Sequence, residues 1–229
     1  MIWQRYSILY NMEMIDTHCH LDFDAYDTDR EAVISRACQA GVQGFVIPAV
    51  QRATWDNLIE LCDSSNYLYS ALGLHPMFIS HHQDRHIEDL KKYITDYQPV
   101  AVGEIGLDFY DRSQMDRQTE IFERQLAIAC DVKLPVILHV RKAHEEVLAC
   151  LKKYEPKGGI VHAFNGSLQQ AERYLQYSFK FGFGGMLTYA RSSKLRNLAS
   201  KLPVETIVLE TDSPDMTVEQ HRGERNSPE

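Results

Sequence analysis

The 229-residue chain contains no apolar run near the ~20 residues a bilayer span needs, so nothing in it predicts a membrane anchor. Its five cysteines are scattered, odd in number and never spaced as C-x-x-C. That argues against a disulfide framework and a zinc ribbon, and makes a reducing cytoplasm the natural compartment. Positive charge is short: 24 Lys and Arg against 32 Asp and Glu leave a formal net charge of -8. Such a balance disfavours a broad electrostatic grip on nucleic acid, although it leaves room for a phosphate held locally at a metal. No Gly-rich loop follows the first predicted strand, which removes one reason to expect an open dinucleotide-binding sheet. Low-complexity segments and linkers are missing too. Residues Met1 to Asn11 have neither the apolar core nor the small-residue cleavage site of a signal peptide. They read as a loose extension or an over-long start, and 12–229 as one domain.

What the chain does have is alternation. Apolar, β-branched runs predict strands at Glu13–Thr17, Gly44–Val50, Tyr67–Leu74, Pro99–Ile105, Leu134–His139, Gly159–His162, Lys180–Gly184 and Thr206–Thr211. Helical spacing predicts helices at Thr28–Gln39, Trp55–Asp63, His86–Asp96, Gln114–Val132, Ala143–Tyr154, Leu168–Tyr177 and Ser192–Lys201. Strand and helix in repeated alternation imply parallel pairing, and eight such strands closing on themselves make a (β/α)8 TIM barrel. An open doubly wound sheet is the alternative. Asn226-Ser227-Pro228-Glu229 reads as a helix start, with Ser as cap and Pro at the first position. The barrel is therefore expected to lack its last helix, through truncation at the C-terminus, or to depend on another chain for cover.

Polar residues recur at the predicted strand ends. They are His18 and His20 after the first strand, His75 after the third, Glu104 at the fourth, His139 and His162 at the fifth and sixth, and Asp212 after the eighth. In a parallel barrel those ends share the face where active sites lie. His18 and His20, two residues apart, can aim two imidazoles at one point. Together with Glu104, His139, His162 and Asp212 they exceed the needs of one zinc with an open position. They suit two divalent ions roughly 3.5–4 Å apart, with one carboxylate bridging. Cys19, between the two histidines, is expected to point into packing. His81, His82, His86, His144 and His221 fall in predicted loops and helices and read as structural or solvated.

These motifs also carry a resemblance. Asp16-Thr17-His18-Cys19-His20-Leu21, Gly73-Leu74-His75-Pro76, Gly103-Glu104-Ile105-Gly106-Leu107-Asp108, Leu138-His139-Val140-Arg141, Val161-His162-Ala163-Phe164-Asn165-Gly166 and Leu209-Glu210-Thr211-Asp212-Ser213-Pro214 resemble, in order and spacing, the TatD family of metal-dependent deoxyribonucleases. Asp215-Met216 and the closing Asn-Ser-Pro-Glu are most similar to its YjjV-type subgroup. The resemblance runs from about Ile15 to the last residue. It implies an amidohydrolase-like barrel and hydrolysis of a phosphodiester, typically in DNA. It also implies one metal on His18, His20, Glu104 and Asp212 and a second on Glu104, His139 and His162.

The mechanism that follows is attack by a metal-activated water, with Asp212 as both ligand and proton acceptor and Glu104 as the shared ligand. His75, Arg141 and Arg191 are candidates for phosphate oxygens, and Asp108 for orienting a ligand or closing a turn. Mg2+, Mn2+ and Zn2+ all fit the donor types. The expected partner is DNA or another phosphodiester, bound by a monomer without sequence specificity. A cyclic-amide or lactone hydrolase on the same scaffold is one alternative. Glu104 stands where many two-metal amidohydrolases carry a carboxylated lysine, which favours the phosphoesterase. A metal-binding scaffold without turnover is the other alternative, and an open metal site argues against it.

Overall fold

The computed structural model describes residues 14–229; the extension read over Met1–Asn11, and Glu13 of the first predicted strand, lie outside them. Eight parallel strands run in sequence order around one sheet: β1 (Met14–Asp16), β2 (Val42–Pro48), β3 (Leu68–Leu72), β4 (Ala101–Asp108), β5 (Val136–Arg141), β6 (Gly159–Val161), β7 (Phe179–Phe183) and β8 (Ile207–Leu209). Seven helices alternate with them: α1 (Arg30–Gln39), α2 (Trp55–Asp63), α3 (Arg85–Tyr97), α4 (Met115–Val132), α5 (His144–Tyr154), α6 (Leu168–Leu175) and α7 (Ser193–Ala199). The sheet forms a nearly closed TIM barrel. Leu, Ile, Val and Phe from the strands and the inward helix faces make the main core, with Phe45, Ile47, Leu72, Phe122 and Phe181 fully buried, and Ala71, Ala101 and Ile137 form a small second cluster.

Closure between the last and first strands is made by single hydrogen bonds and one carboxylate. Thr17 N and Oγ1 donate to Leu209 O at 3.0 and 2.9 Å. Beyond the strands, Asp212 N donates to His18 O (2.8 Å) and His20 N to Ser213 O (2.7 Å). The buried Asp16 carboxylate spans the junction. It accepts from His18 N and Thr211 N through Oδ1 and from Thr211 Oγ1 through Oδ2, at 3.2, 3.1 and 2.6 Å. Burial pushes its pKa up to about 7 although the Thr211 hydroxyl favours the charged form. On the outer side of this junction Ile15 and Leu209 are about half exposed. No helical turn forms over 226–229. Asn226 Nδ2 instead donates to Thr211 O and Asp215 O at 2.9 and 2.7 Å, holding the loop that carries Asp212.

The strand ends are also held from outside. Positions 118, 121, 122, 125, 126 and 129 of α4 form one buried stripe, and two of them are glutamines. Gln118 Oε1 accepts from Asp108 N (2.8 Å) and its Nε2 donates to Asp108 O (3.0 Å). Gln125 treats Leu74 in the same way, at 2.7 and 3.1 Å. Each glutamine thus satisfies both backbone groups of a buried residue beside the site, where the β3–β4 ladder has ended. β4 runs three residues further than the sequence pattern predicts, because Gly106, Leu107 and Asp108 pair with His139, Val140 and Arg141 of β5. Glu104 therefore projects from within a strand. Gln125→Leu leaves two buried backbone groups unpaired and is predicted to cost about 2–4 kcal/mol in urea unfolding; a midpoint equal to wild type would show the clamp to be dispensable.

Candidate metal centre

Glu104 is the hub of the barrel mouth. It is almost wholly buried, yet imidazoles approach both of its oxygens. His18 Nε2 lies 3.1 Å and His20 Nε2 4.0 Å from Oε2. His139 Nδ1 lies 3.0 Å and His75 Nε2 3.3 Å from Oε1. Asp212 gathers a second set: its Oδ1 is 3.6 Å from His18 Nε2 and 3.5 Å from His20 Nε2, and its Oδ2 is 3.5 Å from His162 Nε2. The six residues read from the strand ends as ligands therefore meet in one place. His162 is set against His18, the rings stacked at 3.7 Å between centroids, and against Asp212 rather than His139. Cys19 is fully buried in the core, with its sulfur toward Val46 O.

The backbone explains the convergence. β1 ends at Asp16, and the turn beyond it presents His18 and His20 to the same space. Their Nε2 atoms are only 3.3 Å apart, and each has a buried Nδ1 without a partner. His75 differs from the other imidazoles. Its Nδ1 accepts from Met77 N at 3.1 Å, which puts its proton on Nε2, toward Glu104. It is thus placed to donate to Glu104 rather than offer a lone pair to a cation. Asp108 holds His139 from the far side, 3.1 Å from Nε2.

The charges are strongly coupled. Burial favours the neutral acid at Glu104, but His75, His18 and His139 outweigh it and hold the carboxyl well below the usual range. Asp212 is likewise held low against its burial, by His162, His20 and His18. Burial lowers His18, and it lowers His75 to about 4. At His20, His139 and His162 burial acts in the same sense, yet the neighbouring carboxylates prevail and the pKa rises. Two ionised carboxylates, Glu104 buried and Asp212 partly exposed, thus lie among nitrogen donors. Arg141 is the one Lys or Arg among the residues lining this cavity of about 370 Å³. Such a donor set fits divalent cations.

The remaining predicted contacts divide. Arg141 lines the cavity, and its Nη1 is 3.7 Å from Asp108 Oδ2. Arg191 does not line it and lies over Tyr189, 5.5 Å from the ring centroid. Glu210 is a site residue that the sequence reading passed over. Its buried Oε1 accepts from Ala163 N (2.7 Å) and makes an ion-pair contact with His162 Nδ1 (3.1 Å), leaving Nε2 toward Asp212. Space for that carboxylate exists because residue 182 is glycine: a Cβ there would stand 1.9 Å from Glu210 Oε2. The signal was available, since Glu210 is an acid two residues before Asp212, the spacing that puts two side chains of an extended segment on one side. Glu210→Ala is predicted to weaken divalent-metal affinity about 10- to 100-fold in competition with a chelating indicator; affinity equal to wild type would remove Glu210 from the metal site.

Comparison with known proteins identifies relatives of the chain. The family model described as TatD related DNase matches residues 15–229. The chain is 44% identical over 219 residues to the "Uncharacterized metal-dependent hydrolase YjjV" of Escherichia coli, covering 94% of this chain and 85% of that one. The crystal structure of that YjjV superposes with a TM-score of 0.90, at 43% identity and the same coverage. The "3'-5' ssDNA/RNA exonuclease TatD" of Erwinia amylovora is 32% identical over 206 residues, which are 88% of this chain and 80% of that one. The chain belongs to the TatD family of metal-dependent hydrolases.

Proposed function

We propose that this protein hydrolyses phosphodiester bonds in nucleic acid, using two divalent cations held at the barrel mouth. The observation that carries the reading is the two-sided environment of Glu104, whose oxygens face separate groups of imidazoles. A carboxylate so placed can hold a cation through each oxygen. His18, His20 and Asp212 would complete the set on the Oε2 side. His139 lies on the Oε1 side, and His162 is the further nitrogen donor. The name of the Erwinia TatD relative, a single-stranded DNA and RNA exonuclease, supports nucleic acid as the substrate class.

When bound, the cations supply Lewis acidity that makes water nucleophilic near neutral pH and offsets charge on the phosphoryl oxygens. The protein's own groups do the rest. Asp212 is ionised across the neutral range, and 18% of its side chain is exposed against 2% for Glu104. It is the carboxylate that water can reach, and it takes the proton as the nucleophile forms. His75, with Nε2 3.3 Å from Oε1, steadies Glu104, while Asp108 and Glu210 face His139 and His162 from behind. Arg141, at the edge of the same cavity, is placed to hold a phosphate oxygen on its guanidinium fork.

The test is a cleavage panel with single- and double-stranded DNA, RNA and small phosphodiesters, under Mg2+, Mn2+ or Zn2+ and with EDTA controls. Metal-dependent turnover is expected on at least one substrate. Glu104→Ala is expected to lower it by about a thousandfold or more and to reduce bound metal. Turnover that survives EDTA, or a Glu104→Ala protein near wild-type activity, would overturn the proposal.

A further inference from the structure

A second cavity opens beside the metal centre, and the two share walls: Met77 and Arg141 line both. This one measures about 200 Å³ and lies between Pro76 and Met77 on one side and Tyr110 on the other, with Asp111 at its edge. Together the two cavities make a track that leads from the carboxylates across Arg141 and out along the loop after β4.

Tyr110 is the unusual residue of this track. Its side chain is 63% exposed, as is that of Met77, although each abuts a cavity. Two cations converge on its ring, with Arg141 Cζ 4.1 Å and Lys142 Nζ 4.6 Å from the centroid. The ring attracts both through its quadrupole and so gathers positive charge at one point of an acidic protein. Its position is fixed by the backbone. Tyr110 N donates to Asp108 Oδ1 (2.9 Å), and Phe109 N donates to Arg141 O (2.9 Å). Asp108 also faces His139 Nε2, so the loop carrying Tyr110 is tied directly to a residue of the metal centre.

These features select a ligand. Arg141 and Lys142 suit a phosphate, and Arg offers it a planar fork. The cavity wall of methionine, proline and tyrosine suits the face of a flat ring, because aromatic side chains stack on any base. Asp111 would repel a phosphate but can accept hydrogen bonds from the amino or imino groups of a base. Charge therefore sorts the two halves of a nucleotide, phosphate toward the cations and base into the cavity. The space admits one base and not a base pair, so a base that enters must be unpaired.

We propose that Tyr110, Arg141 and Lys142 form a subsite for the nucleotide next to the scissile phosphate, and that it accepts an unpaired base between Tyr110 and Met77. The subsite deepens the phosphodiesterase reading and rests on it, so its test measures binding and turnover separately. The probe is a fluorescein-labelled oligothymidylate with hydrolysis-resistant phosphorothioate linkages, bound to the full-length Mn2+-loaded protein and followed by anisotropy. Tyr110→Ala is expected to weaken binding about tenfold, while Tyr110→Phe, which keeps the ring, binds within twofold of wild type. Lys142→Ala is expected to lower the slope of log K against log salt by about 0.7, the value for one contact to a single strand. An oligomer with an abasic position is expected to weaken binding to wild type but not to weaken binding to the Tyr110→Ala protein further. Equal affinity of wild type and Tyr110→Ala, or equal sensitivity of both to the abasic position, overturns the subsite. If wild type cleaves no phosphodiester yet shows this Tyr110-dependent binding, the proposed reaction fails and the subsite stands.

Discussion

The structure depends on one buried charge. Glu104 sits in the middle of β4 with its carboxylate ionised, and an ionised carboxylate without partners is among the costliest groups to bury. Imidazoles from the ends of β1, β3 and β5 converge on it, and a cation can replace the protons they hold. Each imidazole in turn needs its own orientation, and the fold supplies this with a second layer. Met77 N fixes the proton of His75, Asp108 faces His139, and Glu210 faces His162. Removing one partner exposes the cost of the others, so the layer behaves as a unit.

That unit also ties together distant parts of the chain. His18 and His20 stand at its beginning, and Asp212 stands almost two hundred residues later. The two are brought into contact where β8 meets β1, by Asp16 and the backbone bonds between His18 and Asp212. Barrel closure therefore also brings the candidate ligands together. The α4 glutamines act in the same sense on the opposite wall, holding the backbone at Leu74 and Asp108 through paired hydrogen bonds. Precision at the mouth rests on these side-chain bonds to the backbone as much as on strand pairing.

Much of this was legible in the residues. The strand and helix alternation is written in short apolar, β-branched runs and in helical spacing, and the barrel follows from it. The convergence of the candidate ligands was legible because a parallel barrel puts all its strand ends on one face, so position along the chain alone predicts it. Pairings within the cluster were less legible. His162 stacks on His18 because strand tilt and shear set neighbours in space, and the sequence order of strands does not encode the tilt. Gln118 and Gln125 are hidden in an apolar helical stripe, where a polar residue reads as an interruption until the unpaired backbone opposite it is seen. Tyr110 is concealed for a different reason. A tyrosine in a loop has no periodicity, and only the approach of Arg141 and Lys142 from the next strand's end gives it a role.

If Glu104 joins two cations, loading the protein with metal makes both visible. The most direct measurement is an anomalous-difference map from crystals of the protein loaded with Mn2+, recorded above the manganese edge. Two peaks are expected, roughly 3.5–4 Å apart on either side of the Glu104 carboxylate. A single peak, or peaks away from Glu104, would contradict this.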